Sequence, residues 1–313
     1  MNGAVHAFGE NEAPAARLAE RLGLCCRRVH VRRFPDGESL VRVERAEEIA
    51  ILYRSLDHPN DKLIELLLAA AALRDGGARQ VILVAPYLAY MRQDCAFNAG
   101  EAVSQQVIGA LIAAHFDALV TVDPHLHRTP TLDTVIPGRP ARVVSAAPAL
   151  VEALRARAAG AVIIGPDVES RPWAQAIATP LGCPVIIGQK HRRGDREVDL
   201  RLPGLAEARA SRAIIVDDLV STGVTLRQCA AALRAEGIDD IDAVVVHCLA
   251  GTSDREALVD AGIGRLIATD SIPGPLATVA LASRLAPAVE ELLTHFRARP
   301  GGSKAEAVGR PVQ

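Results

Sequence analysis

Asp217 and Asp218 stand side by side after the apolar run Ile214–Val216, and Ser221, Thr222, Gly223, Val224 and Thr225 follow at once. Adjacent carboxylates repel, so a chain that keeps them needs something to bind their charge. A strand, a loop of small hydroxylated residues and then a helical pattern make a phosphate-binding layout. Backbone N–H groups at a helix N-terminus point outward, and the helix dipole favours an anion. The loop is not a Walker A loop, because G-x-x-x-x-G-K-[ST] is absent. Carboxylates do not bind phosphate, but they accept hydrogen bonds from a vicinal diol or hold a divalent cation. A diol and a phosphate a short distance apart describe a sugar phosphate, and ribose 5-phosphate fits. The plainer reading, in which Asp218 caps a turn and the hydroxyls cap a helix, accounts for one acid but not for two.

A second polar cluster is "IIGQKHRRGDREV", Ile186 to Val198, with four basic residues and a His within seven positions. Alone it reads as a solvated charged loop. Further polar residues follow apolar runs at Asp94, His125 and Asp167. "FPDG" at 34–37 is by itself a strong turn signal.

The elements that must position these residues alternate between strand and helix patterns. Strands are expected at Gln80–Tyr87, at 117–127 ending in Asp123 and His125, at Ala161–Asp167, at Cys183–Lys190, at 212–218 ending in the two acids, and at 242–251. Helices are expected from a cap at Asn60 to Gly76 and Gly77, at Gly100–His115, Leu226–Gly237 and Ala277–Arg297. Alternation of this kind implies βαβ units and mainly parallel sheets flanked by helices. The length suits two tandem halves, 1–145 and 146–297, with a break near "GRPARVVSAAP" and a flexible tail at 298–313. In open α/β sheets ligands bind at the carboxyl ends of the strands, where the polar residues gather.

Half of the 313 residues are apolar, 23% are charged and 3% are aromatic, so the chain can bury a large aliphatic core. A net charge of −2 excludes a broad basic surface for nucleic acid. The apolar run Val81–Met91 is too short to cross a bilayer, and no secretory signal is visible. Six cysteines without a CxxC spacing give neither a metal nor a disulfide framework. A cytoplasmic location is expected.

From about Phe8 to Arg297 these stretches together resemble the ribose-phosphate diphosphokinase (phosphoribosyl pyrophosphate synthetase) family, of phosphoribosyltransferase fold. The resemblance implies transfer of the β,γ-diphosphoryl group of Mg-ATP to the 1-hydroxyl of ribose 5-phosphate. Asp217 and Asp218 would then hold the ribose hydroxyls, and 221–225 the 5-phosphate. "RRFPDGES" resembles the family's F-x-D-G-E element, so Phe34, Asp36 and Glu38 would reach a neighbouring subunit's nucleotide, which implies a homo-oligomer. "PYLAYMRQD" resembles its P-Y-x-x-Y-x-R-Q-D segment and implies ATP contacts from Arg92, Gln93 and Asp94. "VDPHLH" and "GPD" resemble elements that place the Mg²⁺ of ATP, through His125 and Asp167. Lys190 and Arg192 match the Lys-x-Arg order of a mobile catalytic loop. Cys95, Pro124 and Val224 depart from the usual pattern, and Val224 takes backbone freedom from a phosphate loop where relatives carry Gly. Two alternatives remain beside this: a catalytically weak nucleotide-binding regulator, and a transferase that consumes phosphoribosyl pyrophosphate.

Overall fold

Short runs of Val, Ile, Leu and Ala bounded by Gly, Pro and Asp become strands, and the longer periodic segments between them become helices. The structure, a computed structural model, describes residues 3–126, 128–129, 131–193 and 197–298, with only the backbone of 190–193 and 197–199. The first half contains β1 (Gly3–Phe8), α1 (Glu12–Leu22), β2 (Cys25–Arg33), β3 (Ser39–Val43), β4 (Ile49–Tyr53), α2 (Pro59–Asp75), β5 (Gln80–Ala85), α3 (Ser104–His115), β6 (Ala118–Val122), the single turn α4 (Leu132–Val135) and β7 (Ala141–Val144). Its sheet runs β3-β2-β1-β4-β5-β6-β7, parallel throughout except between β2 and β3.

The second half contains α5 (Ala147–Leu154), β8 (Ala161–Gly165), α6 (Arg171–Leu181), β9 (Val185–Ile187), β10 (Gln189–Arg193), β11 (Glu197–Arg201), α7 (Leu205–Ala208), β12 (Arg212–Val220), α8 (Val224–Ala235), β13 (Asp240–Cys248), α9 (Thr252–Asp260), β14 (Ile263–Thr269), β15 (Ala277–Val279) and α10 (Ala282–Arg297). Its parallel sheet runs β15-β14-β13-β12-β8-β9, and β10 and β11 form a separate antiparallel hairpin. Two mainly parallel sheets flanked by helices are the fold that the alternation implied.

The two sheets share one core. Val5, Ile51, Val84 and Val120 of the first and Ile163, Ile214, Val216 and Val244 of the second face the same apolar layer, filled by Leu18, Leu150, Ile177, Leu285 and Val289 from α1, α5, α6 and α10. The outer faces bury separate cores under α2 and α3 and under α8. This common layer fixes the carboxyl ends of β6 and β12 relative to each other. A Leu→Ala change in it would cost roughly 2–5 kcal/mol and loosen both sheets at once.

Several boundaries differ from those the residue pattern suggests, each for a local reason. His58, at φ +49, caps α2, because Pro59 suits the first helical position; Asn60 lies inside the helix. α3 begins at Ser104 rather than Gly100, since the Glu101 carboxylate accepts from the N–H groups of Phe97 and Asn98 and ties that stretch into a loop. Residues 277–279 pair as an edge strand, so the last helix starts at Ala282. The strand expected to reach Lys190 ends at Ile187. The charged loop after it is instead the β10–β11 hairpin, with Lys190 opposite Leu200 and Arg192 opposite Val198. Glu-Val-Asp-Leu-Arg in β11 carries the period-2 alternation that marks a strand. The expected tail lies outside the described residues from 299 onward. No helix among the described residues is long and apolar enough to cross a membrane.

Candidate active site

β12 runs through both acids to Val220 instead of stopping at them. Ile214 and Val216 face the shared core, while Ala213 and Ile215 face the core under α8. Continuing that alternation sends Asp218 toward the first half and Asp217 to the opposite face. Asp218 is 8% exposed, and its Oδ2 lies 2.8 Å from Nδ1 of His125, in the segment after β6. Asp217 lines a cavity of about 180 Å³ with Leu219–Leu226 and Arg92. The neighbouring acids therefore serve two sides of one strand.

Their charges still interact. Burial, followed by the charges of Asp218 and Asp167, pushes the Asp217 carboxyl from 3.8 up to about 8. Asp167, beyond the end of β8, accepts hydrogen bonds at Oδ1 from the N–H groups of Glu169 (3.2 Å) and Ser170 (3.3 Å). Among the described residues no group of three His, Cys, Asp or Glu side chains is arranged to cage a metal. Mg²⁺ in phosphate enzymes takes one or two carboxylates and completes its shell with water and phosphate oxygens. A carboxyl raised first by burial and then by two neighbouring carboxylates fits such a half-site.

The loop after the acids turns at Gly223, the N-cap of α8, with φ +71. A Cβ there would also meet Leu258 Cδ2 at 2.9 Å. Val224 is already the first helical residue and is half exposed, so the backbone freedom the loop needs lies one residue earlier. The departure at Val224 thus costs the loop nothing in conformation.

Arg92, expected beside ATP, lines the same cavity as Asp217 and Leu219–Leu226. Gln93 is held by the start of α3, its side-chain oxygen accepting from Ser104 and its carbonyl from the Gln105 N–H. Asp94 pairs with Arg128, whose Nη1 lies 2.9 Å from Oδ1 and 3.7 Å from the Cys95 Sγ. Desolvation pushes the Asp94 carboxyl upward, but the hydrogen bond and charge of Arg128 outweigh it and hold the group below its ordinary value. Phe34, Asp36 and Glu38 occupy the β2–β3 turn, closed by the Phe34 N–H to Glu38 carbonyl bond at 2.8 Å and the Glu38 N–H to Asp36 Oδ1 bond at 3.1 Å. None of the three lines the cavity holding 217–226. Lys190 and Arg192 stand on β10, with side chains outside the described residues. The hairpin rests beside α8: Gln189, Leu200 and Arg201 share a cavity of about 720 Å³ with Gln228, Ala231 and Ala235.

Residues to which the motifs assign no role complete the cleft floor. His247, in β13, is 3% exposed and reaches Ser271 and the Asp123 carbonyl. Asp123 follows β6 at φ +34. Burial raises its carboxyl to about 6 against hydrogen bonds from the Ala146 N–H and the Trp173 indole. In the sequence they show only as a His inside an otherwise apolar strand and as the "TDS" at the end of β14.

Two tandem halves of phosphoribosyltransferase type, with an acidic strand end and a phosphate-loop layout facing their junction, define the class. The family described as the N-terminal domain of ribose phosphate pyrophosphokinase matches residues 4–115, and the phosphoribosyl transferase domain family matches 145–267. The ribose-phosphate pyrophosphokinase of Methanopyrus kandleri is 36% identical over 292 residues, covering 92% of this chain and 99% of that protein. That of Pyrococcus furiosus is 31% identical over 254 residues, covering 81% and 89%. The crystal structure of phosphoribosylpyrophosphate synthetase from Mycobacterium smegmatis superposes with a TM-score of 0.78 at 22% identity, covering 94% of this chain and 100% of that one, and so shares its fold. The chain belongs to the ribose-phosphate pyrophosphokinase family, and it is an enzyme.

Proposed function

We propose that the enzyme moves the β,γ-diphosphoryl group of Mg-ATP to the 1-hydroxyl of ribose 5-phosphate, releasing phosphoribosyl pyrophosphate and AMP. The observation that carries this reading is the 180 Å³ cavity in which Asp217 faces the turn Ser221–Thr225, with Arg92 entering from the other half. Asp217 and Asp218 accept hydrogen bonds from the ribose hydroxyls, and the loop N–H groups and hydroxyls of 221–225 take the 5-phosphate. The 1-hydroxyl oxygen forms a bond to the β-phosphorus and gives up its proton to solvent, the bond from that phosphorus to the α,β-bridging oxygen breaks, and AMP leaves with that oxygen. Arg92, Gln93 and Asp94 orient the nucleotide on the first-half side of the cleft. Lys190 and Arg192 on the hairpin close over the triphosphate, where cations stabilise charge that develops in transfer and exclude water. Asp167, with His125 acting through water or phosphate, would hold the Mg²⁺, which when bound neutralises phosphate charge. Phe34, Asp36 and Glu38 complete a neighbouring subunit's nucleotide site in a homo-oligomer, a role that suits a turn lying outside the lining of the Asp217 cavity. The halves 1–145 and 146–297 supply the ATP side and the sugar side. The location is cytoplasmic, in keeping with six cysteines that form no disulfide with one another.

The test is AMP release from ATP by the purified chain, with and without ribose 5-phosphate. Release that requires the sugar phosphate supports the reading. Nucleotide binding without release points to a regulator, and consumption of phosphoribosyl pyrophosphate with a base points to a transferase.

A further inference from the structure

Nothing in the proposed reaction uses His247, yet it is a buried side chain that bridges the two halves at their junction. Its Nδ1 lies 2.8 Å from Ser271 Oγ and its Nε2 3.3 Å from the Asp123 carbonyl oxygen. Donor accounting fixes the directions. The carbonyl only accepts, so Nε2 carries the proton and donates it. Nδ1 is then an acceptor, and the Ser271 hydroxyl donates to it. The Val246 carbonyl, also within reach of Ser271, receives the Thr269 hydroxyl at 2.7 Å. A neutral ring suits this: burial lowers the His247 pKa to about 4. The ring packs edge-on against Tyr87 of the first half, with centroids 5.0 Å apart.

The carbonyl it holds belongs to a strained residue. Asp123 has φ +34, outside the regions that residues with a side chain favour. Such a conformation costs about 1–3 kcal/mol and persists only where the surroundings impose it. Here the Asp123 N–H donates to the Val144 carbonyl at 3.1 Å, and its Oδ2 accepts from the Ala146 N–H at 2.8 Å. His247 supplies the hold on the carbonyl from the opposite half. Two residues later the chain delivers His125 to Asp218.

We infer that His247 is a positioning residue: it holds the Asp123–His125 corner in the conformation that sets His125 against Asp218, and thereby tunes the sugar-phosphate side of the cleft. The inference rests on the reading of Asp218 as a ribose-binding group.

Two variants separate the hydrogen bond from the packing. His247→Phe keeps a ring against Tyr87 but cannot donate to Asp123. His247→Gln keeps an amide donor for the carbonyl and an acceptor for Ser271. We expect His247→Phe to raise KM for ribose 5-phosphate about ten-fold, the scale of one hydrogen bond, with KM for ATP little changed. His247→Gln should restore most of that loss. In the His125→Ala background, His247→Phe should add almost nothing, because it acts through His125. NMR of labelled imidazoles in the substrate-free protein should show the His125 signals displaced in His247→Phe and returned in His247→Gln. Full additivity with His125→Ala, or unmoved His125 signals, overturns the proposal. If the parent enzyme makes no AMP from ATP and ribose 5-phosphate, the reaction assignment fails while the NMR comparison still decides the corner. Should His247→Phe not fold, Ser271→Ala takes its place, with the same direction of change expected in both readouts.

Discussion

His125 Nδ1 sits 2.8 Å from Asp218 Oδ2, although they lie 93 positions apart in the sequence, one after the end of β6 and the other in β12 of the second sheet. The contact is set by the common apolar layer, which aligns the end of β6 with the end of β12. A half on its own would hold Asp218 without this partner. The candidate site is therefore a property of the pair of halves, and the strand-end acids of the second depend on the packing of the first.

His125→Ala should damage the sugar side first. It leaves a carboxylate that is 8% exposed without this partner, at about 1–3 kcal/mol. We expect KM for ribose 5-phosphate to rise roughly ten- to hundred-fold, the same energy expressed as affinity. Initial rates with one substrate varied at a time check this. An unchanged KM for the sugar phosphate, with only kcat lowered, would remove the link between His125 and Asp218.

Asp217 gives the ligand-free protein a pH signature. Its carboxyl is raised from 3.8 to about 8, by burial first and then by Asp218 and Asp167. A raised acid binds its proton more tightly when folded, so it contributes stability at low pH that is lost as pH climbs from about 4 to about 8. Asp217→Asn imitates the protonated form at every pH. In chelator and without substrate, the variant should gain thermal stability over the parent as pH rises toward 8, while binding ribose 5-phosphate more weakly. Melting curves across that range are the measurement, and parallel curves for the two proteins would show that the acid is not perturbed.

Much of this architecture is legible in the amino-acid sequence. The alternation of buried strands and helices defines the class of fold, because parallel sheets need continuous apolar strands and helical crossovers. The strand–loop–helix at 212–226 points to a ribose phosphate from residue types alone. The rest depends on three-dimensional packing. A hairpin at 189–201 is hidden because Lys190, His191, Arg192 and Arg193 mask the alternation that only β11 shows. Arg92 belongs to an ATP-side motif by its neighbours in the chain, yet the closeness of the two halves puts it beside the phosphate loop. His247 carries no signal of its role, since its partners Asp123 and Ser271 lie on two other strand ends.

The loop at 221–225, proposed to take the 5-phosphate, can be tested at its glycine. Gly223 takes the φ +71 turn, and Val224 opens α8. Val224→Gly should therefore improve nothing: it places Gly in a helix at a cost of about 0.5–1 kcal/mol, with KM for ribose 5-phosphate unchanged or slightly worse. Gly223→Ala should be severe, because the added methyl must tolerate both the left-handed backbone and Leu258 at 2.9 Å. Combining it with Leu258→Ala relieves the contact but not the backbone strain, so only part of the sugar-phosphate affinity should return. A Val224→Gly protein with markedly tighter sugar-phosphate binding would mean that the loop bends at 224 after all.

Lys190 separates binding from chemistry. It stands on β10 opposite Leu200, on a hairpin that shares a cavity with α8, and α8 begins at the phosphate loop. A cation carried there acts on the charge that shifts as the β-phosphorus changes partners and negative charge builds on the leaving AMP, so its stabilisation belongs to the transition state and not to the bound sugar. Removing one preorganised charge donor costs about 3 kcal/mol, or on the order of a hundred-fold in rate. Lys190→Ala should therefore lower kcat by that factor or more while KM for ribose 5-phosphate moves little, the pattern of an interaction made only in the transition state. Lys190→Arg keeps the charge but broadens the head group, so its rate should fall between the two. Single-turnover measurements with saturating ATP isolate the transfer step from product release. Parental rates in Lys190→Ala under those conditions would take the residue out of the chemistry and leave the hairpin a purely structural flap.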